Sequence, residues 1–219
     1  MPFDPEEIHA VIFDMDGVLL DTEAVYRNIA FEVAMELGFQ MSEQVHNSTI
    51  GLPFDQGALL IRQAMGPDFP FDDFIENVDA RVASHLMARV PLKGGVTEIL
   101  QVLDHLQMPS AVVTSSSSES ANHHLSRADL IAHFKTVVTR DDVDNGKPHP
   151  EPYLLAAERL EVEPEMCLAI EDSYNGVRSA HGAGMQTIMV PDLLMPTGEM
   201  HSLSIAVMKD LHQVRSHFD

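Results

Sequence analysis

The chain has 219 residues, of which 45% are hydrophobic, enough to bury a full core in one domain of ordinary size with a smaller inserted one. Asp and Glu total 34 against 13 Lys and Arg, and the formal net charge of -21 makes nucleic acids and anionic membranes unfavourable partners. The single cysteine, Cys167, excludes an intrachain disulfide and a metal site built from a cysteine cluster, and it indicates a reducing, cytoplasmic location. An anionic ligand would need local positive charge from a metal, a lysine or a helix N-terminus.

Short apolar, β-branched runs alternate with helical patterns along most of the chain. Strands that alternate with helices predict a parallel sheet with helices on both faces, a Rossmann-like α/β core whose ligands bind at the carboxyl ends of the strands. The predicted strands are 10–13, 110–114, 136–139, 167–170 and 187–190, with 205–207 as a sixth candidate.

The alternation fails between residues 21 and 90, where helical patterns follow one another. This stretch predicts an inserted helical domain at 21–90, and the core domain would then consist of 1–20 and 91–219. The predicted helices of the insertion are 24–37, 56–65 and 71–89.

The most informative local feature is Asp14-Met15-Asp16-Gly17, directly after the first predicted strand. Residues i and i+2 of a strand point to the same face, so the two carboxylates would converge unless the backbone turns between them. A bound cation, a shared proton or solvation on an exposed turn would each relieve their repulsion. The pair alone leaves these three alternatives open.

Polar residues also follow the next two predicted strands. Thr114 and four serines come after the second strand, where Ser116 and Glu119 fit a capping box and where hydroxyls and free backbone N–H groups suit phosphate. Lys147 follows the third strand in a loop stiffened by two prolines, and it is the best cationic candidate. Each feature alone has an ordinary structural reading, as a helix cap or as a solvated lysine.

A second acidic pair, Glu171-Asp172, ends the fourth predicted strand. Hard cations take oxygen ligands, so two acidic pairs at the same edge of a sheet suggest one bound Mg2+. Two acidic pairs, a hydroxyl-rich loop and a Lys-Pro loop each follow a strand of their own. The coincidence predicts an active site rather than four unrelated turns.

Four segments, in this order, resemble the four motifs of the haloacid dehalogenase-like (HAD) hydrolases, and the resemblance covers nearly the whole chain. The segments are 14–23, 113–115, 147–148 and 170–173. Asp-Gly-Val-Leu-Leu-Asp-Thr-Glu and Glu-Asp-Ser-Tyr-Asn-Gly are most similar to the sugar-phosphate phosphatase and beta-phosphoglucomutase group. The resemblance implies that the helical insertion is a cap domain.

The resemblance also implies a role for each matching position. Asp14 would be the nucleophile that attacks phosphorus and becomes an aspartyl phosphate, and Asp16 would be the general acid and then the base. Thr114, Ser115 and Lys147 would hold the phosphate oxygens. The expected activity is hydrolysis of a small phosphorylated metabolite, such as a sugar phosphate, by a monomeric enzyme.

The metal that the resemblance implies is Mg2+. Its ligands would be Asp14, the carbonyl oxygen of Asp16, and Asp172, with Glu171 bound directly or through water. The resemblance further suggests a cis peptide bond between Lys147 and Pro148, although most X-Pro bonds are trans.

Departures from the mutase branch of the family favour hydrolysis. That branch carries a cap arginine shortly after a glycine and a histidine in the first cap helix, whereas here Leu52-Pro53-Phe54-Asp55 follows Gly51, and Tyr26 lies near the histidine position. Gly51 and Phe54 are candidate specificity residues, unless Phe54 packs in the core of the helical domain. A sugar phosphomutase and a non-catalytic phosphate-binding module are the alternatives.

Overall fold

The computed structural model describes residues 3–50, 54–88 and 90–218. Its centre is one sheet of parallel strands in the order β3-β2-β1-β4-β5-β6, which confirms the predicted Rossmann-like α/β core. The strands are β1 (Ala10–Phe13), β2 (Ser110–Val113), β3 (Thr136–Val138), β4 (Cys167–Glu171), β5 (Gln186–Met189) and β6 (Ala206–Val207).

The three central strands, β2, β1 and β4, are buried along their whole length. A strand that helices cover on both faces needs a nearly continuous apolar sequence, which is what these strands have. Phe13 pairs with Val112 on one side and with Ile170 on the other, so the three strands end at nearly the same level. β4 runs one residue further than predicted, to Glu171, which pairs with Met189.

Residues 22–90 form one of two compact units, and residues 1–21 with 91–219 form the other. In the first unit, every regular element among the described residues is a helix: α1 (Thr22–Glu36), α2 (Glu43–Asn47), α3 (Phe54–Met65) and α4 (Phe71–Ala88). α1 packs against α4, and the core of this unit contains Phe69, Phe71 and Phe74. The predicted helices correspond to α1, α3 and α4.

The sequence patterns do not predict α2, which has five residues. Five residues are too few to show the 3.6-residue periodicity on which the helix predictions rest. Its start does carry a recognisable signal, because the hydroxyl of Ser42 accepts a hydrogen bond from the Val45 backbone N–H at 3.3 Å.

The core unit contains α5 (Val96–His105), α6 (Ser118–Arg127), α7 (Glu151–Leu160), α8 (Tyr174–Gly182), α9 (Gly198–Leu203) and α10 (Leu211–Arg215). α7 packs on β1, β2 and β3, α8 packs on β4 and β5, and α10 packs on α5. The buried face of α7 includes Tyr153. Within the described ranges, no helix combines the length and the apolar character needed to cross a membrane.

Two segments of the core unit, where the chain leaves for the insertion and returns from it, are paired with each other. The backbone N–H of Asp21 donates to the Pro91 carbonyl at 2.9 Å, and that of Lys93 donates to the Leu19 carbonyl at 3.0 Å. Leu20 and Leu92 form an antiparallel bridge between them. Within the core unit, the segments that precede and follow the insertion are therefore held together by a short ladder.

Candidate active site

Asp14 lies directly after β1, at the carboxyl edge of the sheet where parallel-sheet enzymes bind their ligands. Its backbone N–H donates to the Ile170 carbonyl at 2.9 Å, which extends the pairing of β1 with β4 by one residue. The residue is buried, with 8% of its surface exposed. The sheet thus holds this carboxylate between the ends of β2 and β4.

Lys147 links the ends of the three central strands. Its Nζ lies 2.5 Å from Asp14 Oδ1, 2.9 Å from the Val113 carbonyl and 2.6 Å from Glu171 Oε1. An ammonium has three donors, so all of them are engaged. Burial disfavours the charged form, but Asp14 and Glu171 raise the pKa of Lys147 above its ordinary value. The lysine is therefore charged and fixed among carboxylates.

Glu171 is fully buried and accepts hydrogen bonds from five donors. Oε1 accepts from Lys147 Nζ and, at 2.8 Å, from the Tyr153 hydroxyl. Oε2 accepts from the backbone N–H groups of Asp172 and Ser173 at 3.1 and 3.2 Å, and from Ser173 Oγ at 3.1 Å. A buried carboxylate is tolerated only with such compensation. Burial and the negative charge of Glu171 raise the pKa of Tyr153, which stays a donor.

A group of three carboxylates forms the strongest candidate for a metal site. One oxygen each from Asp14, Glu171 and Asp172 lie within 4.8 Å of one another. Burial raises the pKa of Asp14 well above its ordinary value, although Lys147 opposes this shift. Burial and the neighbouring Asp14 raise the pKa of Asp172 in the same way. Clustered oxygens that resist ionisation on their own suit a hard divalent cation.

Two further observations show that the residues fit such a cation. Gly17 has a φ of 90°, and a Cβ at this position would lie 2.3 Å from Asp172 Oδ2, so the backbone passes this carboxylate too closely for any side chain. Asp192 Oδ2 is buried and has no hydrogen-bond partner within the described part of the chain. A bound cation with its waters would compensate these crowded oxygens.

Asp16 is held by a different kind of partner. Ser116 Oγ donates to Asp16 Oδ2 at 3.2 Å, and the Ser116 backbone N–H donates to Thr114 Oγ1 at 3.0 Å. The loop after β2 therefore connects the buried Thr114 to the second aspartate of the first acidic pair. Ser116 was missed as a site residue because its sequence context indicates a helix cap.

The predicted capping box of Ser116 and Glu119 is wrong. α6 begins at Ser118, and its N-cap is Ser117, whose Oγ accepts from the Ser120 backbone N–H at 3.3 Å. In a run of four serines, each hydroxyl is chemically able to cap the helix. Because β2 ends at Val113, Ser117 lies at the start of α6 and caps it, and Ser116 lies beside Asp16.

Comparison with known proteins decides the family. A sequence profile of the haloacid dehalogenase-like hydrolases matches residues 11–190, which include both acidic pairs and Lys147. The chain belongs to this family.

Two curated HAD relatives are similar along most of their length. The phosphorylated carbohydrates phosphatase of Thermotoga maritima is 37% identical over 200 residues, which cover 90% of this chain and 88% of that protein. Hexitol phosphatase B of Escherichia coli K12 is 32% identical over 191 residues, 85% of each protein.

A solved HAD structure shows the same fold. The crystal structure of a Thermotoga maritima protein provisionally assigned as a beta-phosphoglucomutase matches with a TM-score of 0.79 and 32% identity, over 95% of this chain and 99% of that one. The chain is thus an enzyme of a family of phosphate-ester hydrolases, in the sugar-phosphate phosphatase and beta-phosphoglucomutase-like group.

The loop that carries Lys147, the third HAD motif, is held by hydrogen bonds to Glu151. The peptide bond between Lys147 and Pro148 is cis, as the resemblance suggests. Before it, the carboxylate of Glu151 accepts from the backbone N–H groups of Asp144 and Asn145 at 2.8 and 3.0 Å, and from the Asn145 side chain at 2.8 Å. The sequence showed the prolines of this loop and gave no sign of the Glu151 contacts.

The remaining HAD site predictions differ in how far the structure bears on them. Thr114 is buried at the end of β2 and Ser115 is exposed beside it; their contacts with phosphate stay predictions. Phe54 begins α3 with 68% of its surface exposed, so the alternative that it packs in the core of the helical unit is wrong. Gly51 lies outside the described residues, and a specificity role for either residue stays a prediction.

Proposed function

We propose that this enzyme is a Mg2+-dependent phosphatase that hydrolyses small phosphorylated metabolites, with sugar phosphates as the favoured class. The observation that carries the proposal is the group of Asp14, Glu171 and Asp172 oxygens within 4.8 Å, next to a buried, charged Lys147. The names of two similar proteins, phosphorylated carbohydrates phosphatase and hexitol phosphatase B, support a sugar phosphate as the substrate.

The chemistry consists of two displacements at phosphorus. A carboxylate oxygen of Asp14 attacks phosphorus, the bond to the leaving oxygen breaks, and Asp16 gives that oxygen its proton. Asp16 then takes a proton from water, the water oxygen attacks phosphorus, and the bond to Asp14 breaks. Phosphate leaves and both carboxyl groups return to their starting states. The hydrogen bond from Ser116 to Asp16 orients the group that moves the protons.

The charge of the site is balanced by two cationic elements. Asp14, Asp172 and the carbonyl oxygen of Asp16 would hold Mg2+, which when bound offsets the charge of the phosphate. Lys147 neutralises part of the carboxylate charge and fixes Asp14. Because its three donors are engaged, a phosphate oxygen contacts Lys147 only by replacing one of the present acceptors.

Glu171 forms its direct contacts with Lys147 and other protein donors rather than with the metal. Its two oxygens already accept hydrogen bonds from five donors, so the contact with Mg2+ that the family implies would run through water. This division leaves Asp172 as the directly binding member of the second acidic pair.

A sugar phosphomutase is the second candidate, because the chain is similar to a structure provisionally assigned as a beta-phosphoglucomutase. The mutase branch retains a phosphorylated intermediate with cap groups that the sequence after Gly51 and around Tyr26 does not supply. Hydrolysis is therefore the activity that we favour.

One screen separates the two candidates. The enzyme would be incubated with a panel of sugar phosphates and hexitol phosphates, with Mg2+ or with EDTA, while free phosphate and isomeric products are measured in the same samples. We expect phosphate release with Mg2+, none with EDTA, and no isomer. Isomer formation without phosphate release would establish the mutase, and release that EDTA leaves unchanged would contradict metal dependence.

A further inference from the structure

Asp192 is an active-site carboxylate that the sequence motifs do not include. It lies three residues after β5, and its side chain is 11% exposed. Oδ1 accepts a hydrogen bond from Lys93 Nζ at 2.7 Å, whereas Oδ2 is buried without a partner in the described ranges. An unsatisfied buried carboxylate oxygen is costly, so its presence calls for an explanation.

The free oxygen of Asp192 lies on the same side as the metal-binding carboxylates. A Cβ built on Gly17 would lie 2.3 Å from Asp172 Oδ2 and 3.4 Å from Asp192 Oδ2, so these two oxygens are separated by no more than the sum of those distances. After burial, Asp14 and Glu171, the charge of Asp192 is a further cause of the raised pKa of Asp172. Two carboxylates at this separation repel unless something positive or hydrogen-donating lies between them.

The ion pair with Lys93 explains only one half of the Asp192 side chain. Lys93 Nζ also lies 3.4 Å from Asp21 Oδ1, and its backbone N–H donates to the Leu19 carbonyl, so the lysine is anchored beside the first motif. This pair fixes the orientation of the Asp192 carboxylate through Oδ1. A purely structural ion pair would not explain why Asp192 Oδ2 is buried near Asp172 without a hydrogen-bond donor.

We propose that Asp192 is a positioning residue for the metal: its Oδ2 accepts a hydrogen bond from a water molecule on the Mg2+ that Asp14 and Asp172 hold. Mg2+ usually keeps several of its waters, and outer-shell partners of this kind set metal affinity. Lys93 holds Asp192 in the required orientation. The inference rests on the proposed function, because it needs a metal at this site.

The test is the affinity for Mg2+ without substrate, measured by titration calorimetry on the wild-type enzyme and on Asp192→Asn. Asparagine keeps an oxygen for Lys93 and turns an amide donor towards the water, so we expect the dissociation constant to rise by about 10-fold or more. Asp104→Asn is the matched control: it removes the same charge from an exposed carboxylate that pairs with His133, and its affinity should equal that of the wild type.

Asp172→Asn, in which a proposed metal ligand is lost, distinguishes failure of metal binding from failure of the role of Asp192. A wild-type enzyme that binds no Mg2+ would contradict the metal in the proposed function. Loss of binding in Asp172→Asn with wild-type affinity in Asp192→Asn would overturn the role of Asp192 alone. An ion pair with only a structural role would lower the melting temperature of Asp192→Asn and leave its affinity for Mg2+ unchanged.

A crystal of the wild-type enzyme with Mn2+ gives a readout that does not depend on the folding of a variant. We expect a metal-bound water within about 3.2 Å of Asp192 Oδ2, the upper limit of an ordinary hydrogen bond. A metal-bound water shell that makes no contact with Asp192, or Asp192 bound directly to the metal, would overturn the proposal.

Discussion

The two acidic pairs are similar in sequence and differ in what surrounds each member. In the second pair, Glu171 accepts hydrogen bonds from five donors, whereas the carboxylate of Asp172 faces Asp14, Glu171 and the Cα of Gly17. Glu171 is thus held by hydrogen-bond donors, whereas the close neighbours of the Asp172 carboxylate include two other carboxylates. We therefore expect the two adjacent acidic residues to have separate tasks, with Asp172 as the one that binds a cation.

The first pair shows the same division with different partners. Asp14 is fixed by the ammonium of Lys147, and Asp16 is held by the neutral hydroxyl of Ser116. The ammonium opposes the rise that burial causes in the pKa of Asp14, which suits a proposed nucleophile and metal ligand. The Ser116 hydroxyl is a neutral donor that orients the Asp16 side chain. We therefore expect substitutions of the four acidic residues, or of the residues that hold them, to differ in their effects on stability, metal binding and activity.

In the second pair, substitution of Glu171 should mainly lower stability, and substitution of Asp172 should mainly weaken metal binding. In Glu171→Gln an amide group faces Lys147 or the backbone N–H groups, and breaking this buried network should lower the free energy of unfolding by about 3–5 kcal/mol. In Asp172→Asn the repulsion from Asp14 and Asp192 is relieved, so unfolding without metal should be no easier than in the wild type. Denaturant unfolding with and without Mg2+ measures both.

The metal response completes this comparison. Mg2+ should stabilise the wild-type enzyme and not Asp172→Asn, because a ligand that binds the native state raises its stability with the logarithm of the ligand concentration relative to the dissociation constant. If Glu171→Gln were as stable as the wild type while Asp172→Asn unfolded easily, the assignment of the two tasks would be reversed.

Two glycines of α8 allow the packing around Glu171 to be tested with a matched control. A Cβ at Gly176 would lie 1.8 Å from Glu171 Oε1, whereas a Cβ at Gly182 would lie 3.7 Å from the nearest atom, in Pro150. Gly176→Ala should therefore displace Glu171 and lower the free energy of unfolding by about 1–3 kcal/mol. Gly182→Ala should be neutral or stabilising by up to about 1 kcal/mol.

The same pair of variants should also separate in activity. Gly176→Ala should lose most of the phosphatase activity because displacement of Glu171 releases Lys147 from its fixed position. Equal stability and activity in the two alanine variants would show that the packing around Glu171 accommodates an added methyl group without moving the carboxylate.

Much of this fold follows from local sequence, and the main misses involve contacts between distant residues. The apolar run at 10–13 is β1 in the structure, and the strand ends carry the predicted polar residues. Tyr153 lies on an apolar helix face with nothing in its neighbourhood to indicate Glu171, 18 positions away. Asp192 was missed for the same reason, because its partner Lys93 is 99 positions distant.

The serine run after β2 shows a different limit. Its composition predicts a helix start, and the helix is present, but four equal hydroxyls cannot reveal which one caps and which one reaches the active site. That choice depends on the exact end of β2 and on the position of Asp16, which only the folded sheet defines.

Adjacent serines provide the smallest and most specific test. Ser116→Ala removes the hydrogen bond to Asp16 and should lower kcat by about 2- to 10-fold, equivalent to about 0.5–1.5 kcal/mol, without changing the melting temperature. Ser117→Ala removes the N-cap of α6 and should cost about 1 kcal/mol of stability with kcat unchanged. A drop in kcat only in Ser117→Ala would place the active-site hydroxyl one residue later.

The nucleophile is the centre of the account, and Asp14→Asn tests it most directly. The measurement is the rate of phosphate release from an aryl phosphate or a sugar phosphate at saturating Mg2+, with the folded state checked by circular dichroism. We predict a loss of at least about 10³-fold in a folded protein, because the substitution removes the carboxylate that we propose attacks phosphorus. A folded Asp14→Asn enzyme that retains a rate near that of the wild type would contradict the account.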